Sequence, residues 1–297
     1  MSMKRRTFMK AAAAAGSTGL AAMRAEALTI PDPPCDAVLK LSCQEGRIPI
    51  KDLNGKLDFL EKHGYTGMEP GGRDLPERVT ELEKSLGGRT VKLSAICAGF
   101  EGVIISPDEA ERRKAVESMK RIMTAAGALG STGLIIVPAF NNQPQLEHKE
   151  ARSMLVDLLG ELGEHGIRVN SRILLEPLNR NEAYFLRLVA DAAAICRDVN
   201  SPAICCMGDF WHMTWEETSD MGAFLSAGSY LHHVHIASRK TRNMPGEDDG
   251  DDYTDGFRGL KIIGYHDYIS LECGTKGDPL ILIPAAAALI RRQWEMA

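Results

Sequence analysis

Four short apolar runs, each carrying a potential metal ligand at or near its end, constrain the fold of this chain more than any other feature. They are Ile173-Leu174-Leu175-Glu176, the run from Ile204 to Asp209, the run from Leu231 to Ile236 around His235, and Ile269-Ser270-Leu271-Glu272. The runs read as strands, and their ligands lie up to 96 positions apart, from Glu176 to Glu272. Such residues meet where parallel strands converge, and a closed α/β barrel brings every C-terminal strand end to one mouth. Three carboxylates and an imidazole, with no thiolate, suit Mn²⁺, Mg²⁺ or Co²⁺ better than the cysteine-rich tetrahedral site of a structural zinc, although zinc is compatible with them. One divalent ion held by Glu176, Asp209, His235 and Glu272 is therefore expected, with Mn²⁺ favoured over Co²⁺, Mg²⁺ and Zn²⁺.

Strand-like runs fall near 38–42, 66–69, 91–97, 133–138, 172–176, 203–209, 231–236 and 268–272, with helical patterns between them. Val116, Met119, Met123 and Ala126 recur at helical spacing, as do Leu155, Leu158, Leu159 and Leu162; Leu186, Val189, Ala190 and Ala193; and Leu289, Ile290 and Trp294. Ser106-Pro107-Asp108-Glu109 reads as a helix start, with Ser106 as N-cap and Pro107 at the first helical position. Eight strands alternating with helices predict a single (β/α)₈ TIM barrel. Its main rival, an open nucleotide-binding sheet, loses weight because no GxGxxG or GxxxxGKS/T follows any strand.

The N-terminus reads as an export signal. Lys4-Arg5-Arg6-Thr7-Phe8-Met9-Lys10 carries a twin-arginine pair, Ala11 to Ala22 is weakly apolar, and Ala25-Glu26-Ala27 is a small-x-small cleavage site. Residues 1–27 are thus expected to engage the twin-arginine export machinery and to leave a mature domain of residues 28–297 in the periplasm or otherwise outside the cytoplasm. The apolar stretch falls short of the ~20 residues a membrane span needs, so no stable membrane insertion of the mature protein is expected. Removing Lys4, Arg5, Arg6, Lys10 and Arg24 with Glu26 shifts the formal charge from −5 to −9. A chain this acidic is a poor partner for nucleic acid. Seven cysteines, an odd number with no CxxC spacing, predict packed free thiols rather than a disulfide framework.

With those residues in view, Glu176-Pro177-Leu178-Asn179-Arg180, Asp209-x-x-His212-Met213, His233-x-His235 and the late Glu272 resemble the xylose isomerase-like barrel superfamily, most closely its ketose 3-epimerase and sugar isomerase/epimerase branch. The resemblance implies that Glu176, Asp209, His235 and Glu272 hold the ion. It also implies that Glu176 and Glu272 serve as catalytic acid and base beside a sugar carbonyl, with proton transfer through an enediolate. His212 would hold a substrate hydroxyl or oxyanion; alternation puts His233 on the same face as His235, where it packs or supports that ligand. The branch places a substrate-binding arginine soon after the histidine; of Arg239 and Arg242, Arg239 is the first choice. Glu69, ending the second strand, has either a structural or a substrate role. His63, His148, His165 and His266 read as surface or packing residues.

The acidic stretch 247–252 lacks the ligand spacing of an EF-hand and is expected to be a solvated loop on the active-site face, placed to act as a lid. An exported enzyme of this kind would meet free sugars, glycosides or their oxidised derivatives. The leading alternative is a lyase that acts on a 3-keto-glycoside through the same site, and another is a non-catalytic carbohydrate-binding barrel. An endonuclease IV-type nuclease shares the barrel, but its polyanionic substrate is at odds with the charge. The oligomeric state is left open.

Overall fold

A computed structural model describes residues 37–297 of the chain; segment 1–27, expected from the sequence to be an export signal, lies outside the described residues. Nine parallel strand segments form one sheet: β1 (Lys40–Gln44), β2 (Gly67–Glu69), β3 (Lys92–Leu93), β4 (Ala95–Cys97), β5 (Gly133–Ile136), β6 (Ile173–Leu175), β7 (Ile204–Asp209), β8 (Leu231–Ile236) and β9 (Tyr268–Leu271). Their order is β3-β2-β1-β9-β8-β7-β6-β5-β4. The two sheet ends, β3 and β4, are halves of the single run expected at 91–97. Ser94 divides them by changing sides: its N–H donates to Met68 at 3.0 Å, while its carbonyl accepts from the Thr132 N–H at 2.7 Å. The sheet therefore curls round to meet itself through one residue, which is the expected barrel with its third strand broken at the seam.

Helices α1 (Leu53–Lys62), α2 (Leu75–Leu86), α3 (Glu109–Ala128), α4 (His148–Val169), α5 (Val189–Val199), α6 (Phe210–Glu216), α7 (Asp220–Ala227), α8 (Thr254–Ile262) and α9 (Pro279–Met296) lie between and after the strands. None of the described helices is long and apolar enough to cross a membrane. The apolar stripe of α3 is buried as its spacing predicts, at Val116, Met119, Met123 and Ala126. Its start is corrected by two residues. Asp108, not Ser106, is the N-cap, because its carboxylate accepts the Ala110 N–H at 2.9 Å, while Ser106 Oγ makes a turn onto the Asp108 N–H.

Strand alternation sorts the buried side chains into two populations. Cys206, Val234 and Ile236 join the large core between sheet and helices, whereas Ala95, Ile135, Leu174, Cys205 and Met207 form a small cluster of their own. Adjacent Cys205 and Cys206 thus face opposite ways, as predicted. The interior positions turn polar on part of the barrel: Ser42 and Ser94 share a hydrogen bond of 2.7 Å, and His233 and Ser270 are fully buried. Among the described residues Cys43, Cys97, Cys196, Cys205, Cys206 and Cys273 are free thiols.

Candidate metal centre

The interior positions at the C-terminal strand ends are Gln44, Glu69, Cys97, Glu176, Asp209, His235 and Glu272. Glu176 and Glu272 sit one residue beyond β6 and β9, where their N–H groups still donate to Ile136 and Ile236 at 2.9 and 3.3 Å. The ladder therefore fixes both backbones. Glu176, Asp209, His235 and Glu272 each present one donor atom, and these atoms all lie within 4.8 Å of one another. His235 Nδ1 is 3.2 Å from Glu272 Oε2 and 3.5 Å from Glu176 Oε1.

Three of these four residues hold a buried polar atom with no hydrogen-bond partner: Glu176 Oε1, Asp209 Oδ2 and His235 Nδ1. Burying an unpaired polar atom costs about 1–3 kcal/mol, and more for a charged one. Three such atoms converging on one point are a set that a bound cation would satisfy together. The donors are hard oxygens and one imidazole nitrogen, which fits the expected divalent ion.

The electrostatics of the cluster are uneven. Burial and the neighbouring Glu272 push the Asp209 carboxyl up to about 7. Burial also raises Glu176, and Glu272 adds to it. Glu272 goes the other way: burial opposes its charge, but His235 and Arg242 outweigh burial and hold it at about 2. Two glutamates of one site are thereby shifted in opposite directions, Glu176 up and Glu272 down.

His212 stands at the edge of this cluster on α6. Its Nδ1 accepts from the Asn179 N–H at 3.1 Å, and the Asn179 side-chain amide lies 2.8 Å from the same atom. The hydrogen of the neutral ring therefore belongs on Nε2, which is 3.5 Å from Asp209 Oδ2. Burial, with help from Arg242, lowers its pKa to about 3 and keeps the ring neutral.

The structure corrects the placement of the arginine. Arg239 turns away from the cluster: it pairs with Asp220, donates to the Asp252 carbonyl at 2.8 Å and lies over the rings of Phe210 and Tyr253. Arg242 enters instead. Its Nη2 is 2.8 Å from Glu272 Oε2, 3.2 Å from His212 Nε2 and 3.6 Å from Asp209 Oδ2, with the guanidinium 4.6 Å above the Trp211 ring. The reason is local. Arg242 has φ of +57°, a left-handed conformation held by its N–H on the Ser238 carbonyl and by the Gly274 N–H on its own carbonyl. Strand alternation stops at such a turn, so counting positions from His235 does not reveal which arginine reaches the cluster.

The acidic stretch is solvated in part, with Asp249 and Asp252 exposed, but three of its carboxylates are tied down. Glu247 accepts from the N–H groups of Met244, Lys276 and Gly277, and Asp251 from those of Arg239 and Gly246. Asp248 accepts from Ser238 Oγ at 2.6 Å. The stretch is a strap that fixes the turn bearing Arg242. His148 packs on Tyr184 and Phe185, and His165 bonds the Lys120 carbonyl; neither belongs to a group of potential metal ligands, nor do His63 and His266.

Sequence reasoning passed over Gln44, whose Nε2 donates to both Glu69 and Glu272, and Trp211 beneath Arg242. Gln44 lies two residues beyond the strand expected at 38–42 and ends β1 only because that strand runs from Lys40 to Gln44; for Trp211 there was no signal beyond its position before His212.

Comparison with known proteins places these features in context. The family model described as xylose isomerase-like TIM barrel matches residues 57–293. The 3-dehydro-D-guloside 4-epimerase of Escherichia coli is 25% identical over 242 residues, covering 79% of this chain and 92% of the relative. The D-psicose 3-epimerase of Ruminiclostridium cellulolyticum is 33% identical over 204 residues, 66% of this chain and 69% of the relative. Among solved structures, an apo 3-keto-D-glucoside 4-epimerase from E. coli superposes with a TM-score of 0.79 at 24% identity, over 86% of this chain and all of that one.

Proposed function

Because this chain belongs to the xylose isomerase-like TIM barrel family, we propose that it is a metal-dependent carbohydrate epimerase or isomerase that moves a proton on the carbon beside a sugar carbonyl. The observation that carries this reading is the convergence of buried, unpartnered atoms from Glu176, Asp209 and His235 beside Glu272. These four residues would hold a divalent ion, which would supply Lewis-acid polarisation of a sugar carbonyl and its neighbouring hydroxyl and so acidify the C–H between them.

The residues of the chain do the rest. Glu272, kept ionised by His235 and Arg242, accepts the proton from carbon. Glu176, just beyond the end of β6, is the second carboxylate of the site and the one assigned to return a proton to carbon. Two carboxylates acting from different sides of the sugar invert the carbon; one acting twice isomerises it. His212 Nε2–H and the Arg242 guanidinium supply donors for a substrate oxygen as negative charge develops.

The relatives' names support the substrate class. A 3-dehydro-guloside inverted at C4 and a 2-ketose inverted at C3 share one chemistry, inversion next to a carbonyl. We further propose export through residues 1–27, which places the enzyme among free sugars and oxidised glycosides.

The test is incubation of the metal-loaded protein in D₂O with ketoses, aldoses and 3-keto-glycosides, followed by NMR. Deuterium on the carbon beside the carbonyl, with the skeleton intact, is expected. Release of the C1 substituent would reassign the enzyme as a lyase, and no exchange with Mn²⁺, Co²⁺ or Mg²⁺ would sink the proton-transfer mechanism.

A further inference from the structure

Behind the four prospective ligands lies a second buried group. Glu69, at the end of β2, is 1% exposed. Its Oε2 is 2.8 Å from His233 Nε2, and its Oε1 and Oε2 are 3.0 and 3.1 Å from His235 Nε2. The two rings stand edge to face with centroids 5.0 Å apart, so one carboxylate receives both. Gln44 Nε2 joins the arrangement, donating to Glu69 Oε1 at 3.0 Å and to Glu272 Oε1 at 3.1 Å.

We propose that Glu69 is a positioning carboxylate that sets the metal ligands without being one. This rests on reading the four-donor cluster as the metal centre. By accepting from His235 Nε2, Glu69 fixes the hydrogen on that nitrogen and leaves the Nδ1 lone pair facing Glu176 and Glu272. Through Gln44 it also holds the Oε1 atom of Glu272, leaving Oε2 turned toward His235 Nδ1 and Arg242. One side chain thereby orients two of the four ligands from two different strand ends.

The rival assignment makes Glu69, His233 and His235 a second metal site, since their donor atoms are also close together. It is the weaker one. With ions on both sides, His235 would have to give up both ring hydrogens and bridge as an imidazolate. The contacts of 2.8–3.1 Å are already those of N–H donors on a carboxylate.

Titration calorimetry with Mn²⁺ on the wild type, Glu69→Gln and Glu69→Asp tests the proposal. Glu69→Gln keeps the shape and removes the charge, so affinity should fall about ten- to a hundredfold at an unchanged one ion per chain. Glu69→Asp, which keeps the charge, should recover part of the loss. A Glu69→Gln protein that melts earlier but binds Mn²⁺ as tightly as the wild type would show a merely structural role and overturn the proposal; so would two ions per wild-type chain.

Should the variants fail to fold, the Co²⁺-loaded wild type gives a separate readout. Its proton NMR spectrum should contain a paramagnetically shifted, slowly exchanging His235 N–H, protected by Glu69. A spectrum in which His235 binds through Nε2 would refute the tautomer argument. Failure of the wild type to bind Mn²⁺ or Co²⁺ at all strikes the metal reading itself and is distinct from normal binding that is indifferent to Glu69.

Discussion

Asp209 shows how one buried carboxyl couples the metal centre to pH. Burial, with Glu272 next, raises its pKa to about 7, so below that value the apo site holds a proton that an incoming cation must displace. Apparent Mn²⁺ affinity should therefore weaken about tenfold for each pH unit below 7 and level off above it. Linkage gives the sign for stability as well. The folded pKa exceeds the unfolded value of 3.8, so the contribution of Asp209 to apo stability is fully present below about pH 4 and is lost as pH rises through 7. Bound ion should accordingly raise the melting temperature more at pH 8 than at pH 5. Calorimetry across that range checks both, and a pH-independent affinity would contradict the protonated Asp209.

At the scale of elements, the connection between β8 and α8 does two separate jobs with two arginines. Arg239 staples α7 to the strap, through Asp220 and the Asp252 carbonyl, whereas Arg242 reaches Glu272 and His212. Their truncations should therefore separate. Arg239→Met leaves Asp220 without its partner and should cost about 2 kcal/mol of stability, less than breaking a fully buried pair because both partners are partly exposed. Arg242→Met also leaves an acid, Glu272, without its partner and should cost a similar amount of stability, but it alone should cut kcat/KM, by about a hundredfold, the scale of one lost transition-state donor. Urea titration and steady-state kinetics on both variants are the measurement; equal activity loss in the two would place substrate against Arg239 after all.

For the whole molecule, the barrel is what makes the ligands one site. They come from β6, β7, β8 and β9, which lie side by side in the sheet, and the second rank adds Gln44 and Glu69 from β1 and β2. A site assembled from six strands exists only once the sheet has formed, so tight metal loading follows folding. Twin-arginine export, which carries folded proteins, would then deliver the proposed enzyme with its ion already in place. Replacing Arg5 and Arg6 together by lysine should move the protein and its activity from the periplasmic to the cytoplasmic fraction. Unchanged fractionation of the double variant would remove the export proposal.

Much of this was written locally in the chain. Apolar alternation marked the strands, helical spacing marked the buried faces of α3 and α4, and strand ends marked Glu176, Asp209, His235 and Glu272, because period-two and period-3.6 burial are properties of short segments. What the sequence could not state is how separate segments meet. Ser94 divides a strand because the sheet must close there, and Glu69 takes two histidines because β2 faces β8 across the barrel interior. Arg242 displaces Arg239 because a left-handed turn, held by hydrogen bonds to Ser238 and Gly274, redirects the chain. Local pattern determined which residues line the barrel mouth; their partners were decided by closure of the sheet and by turns whose geometry depends on distant hydrogen bonds.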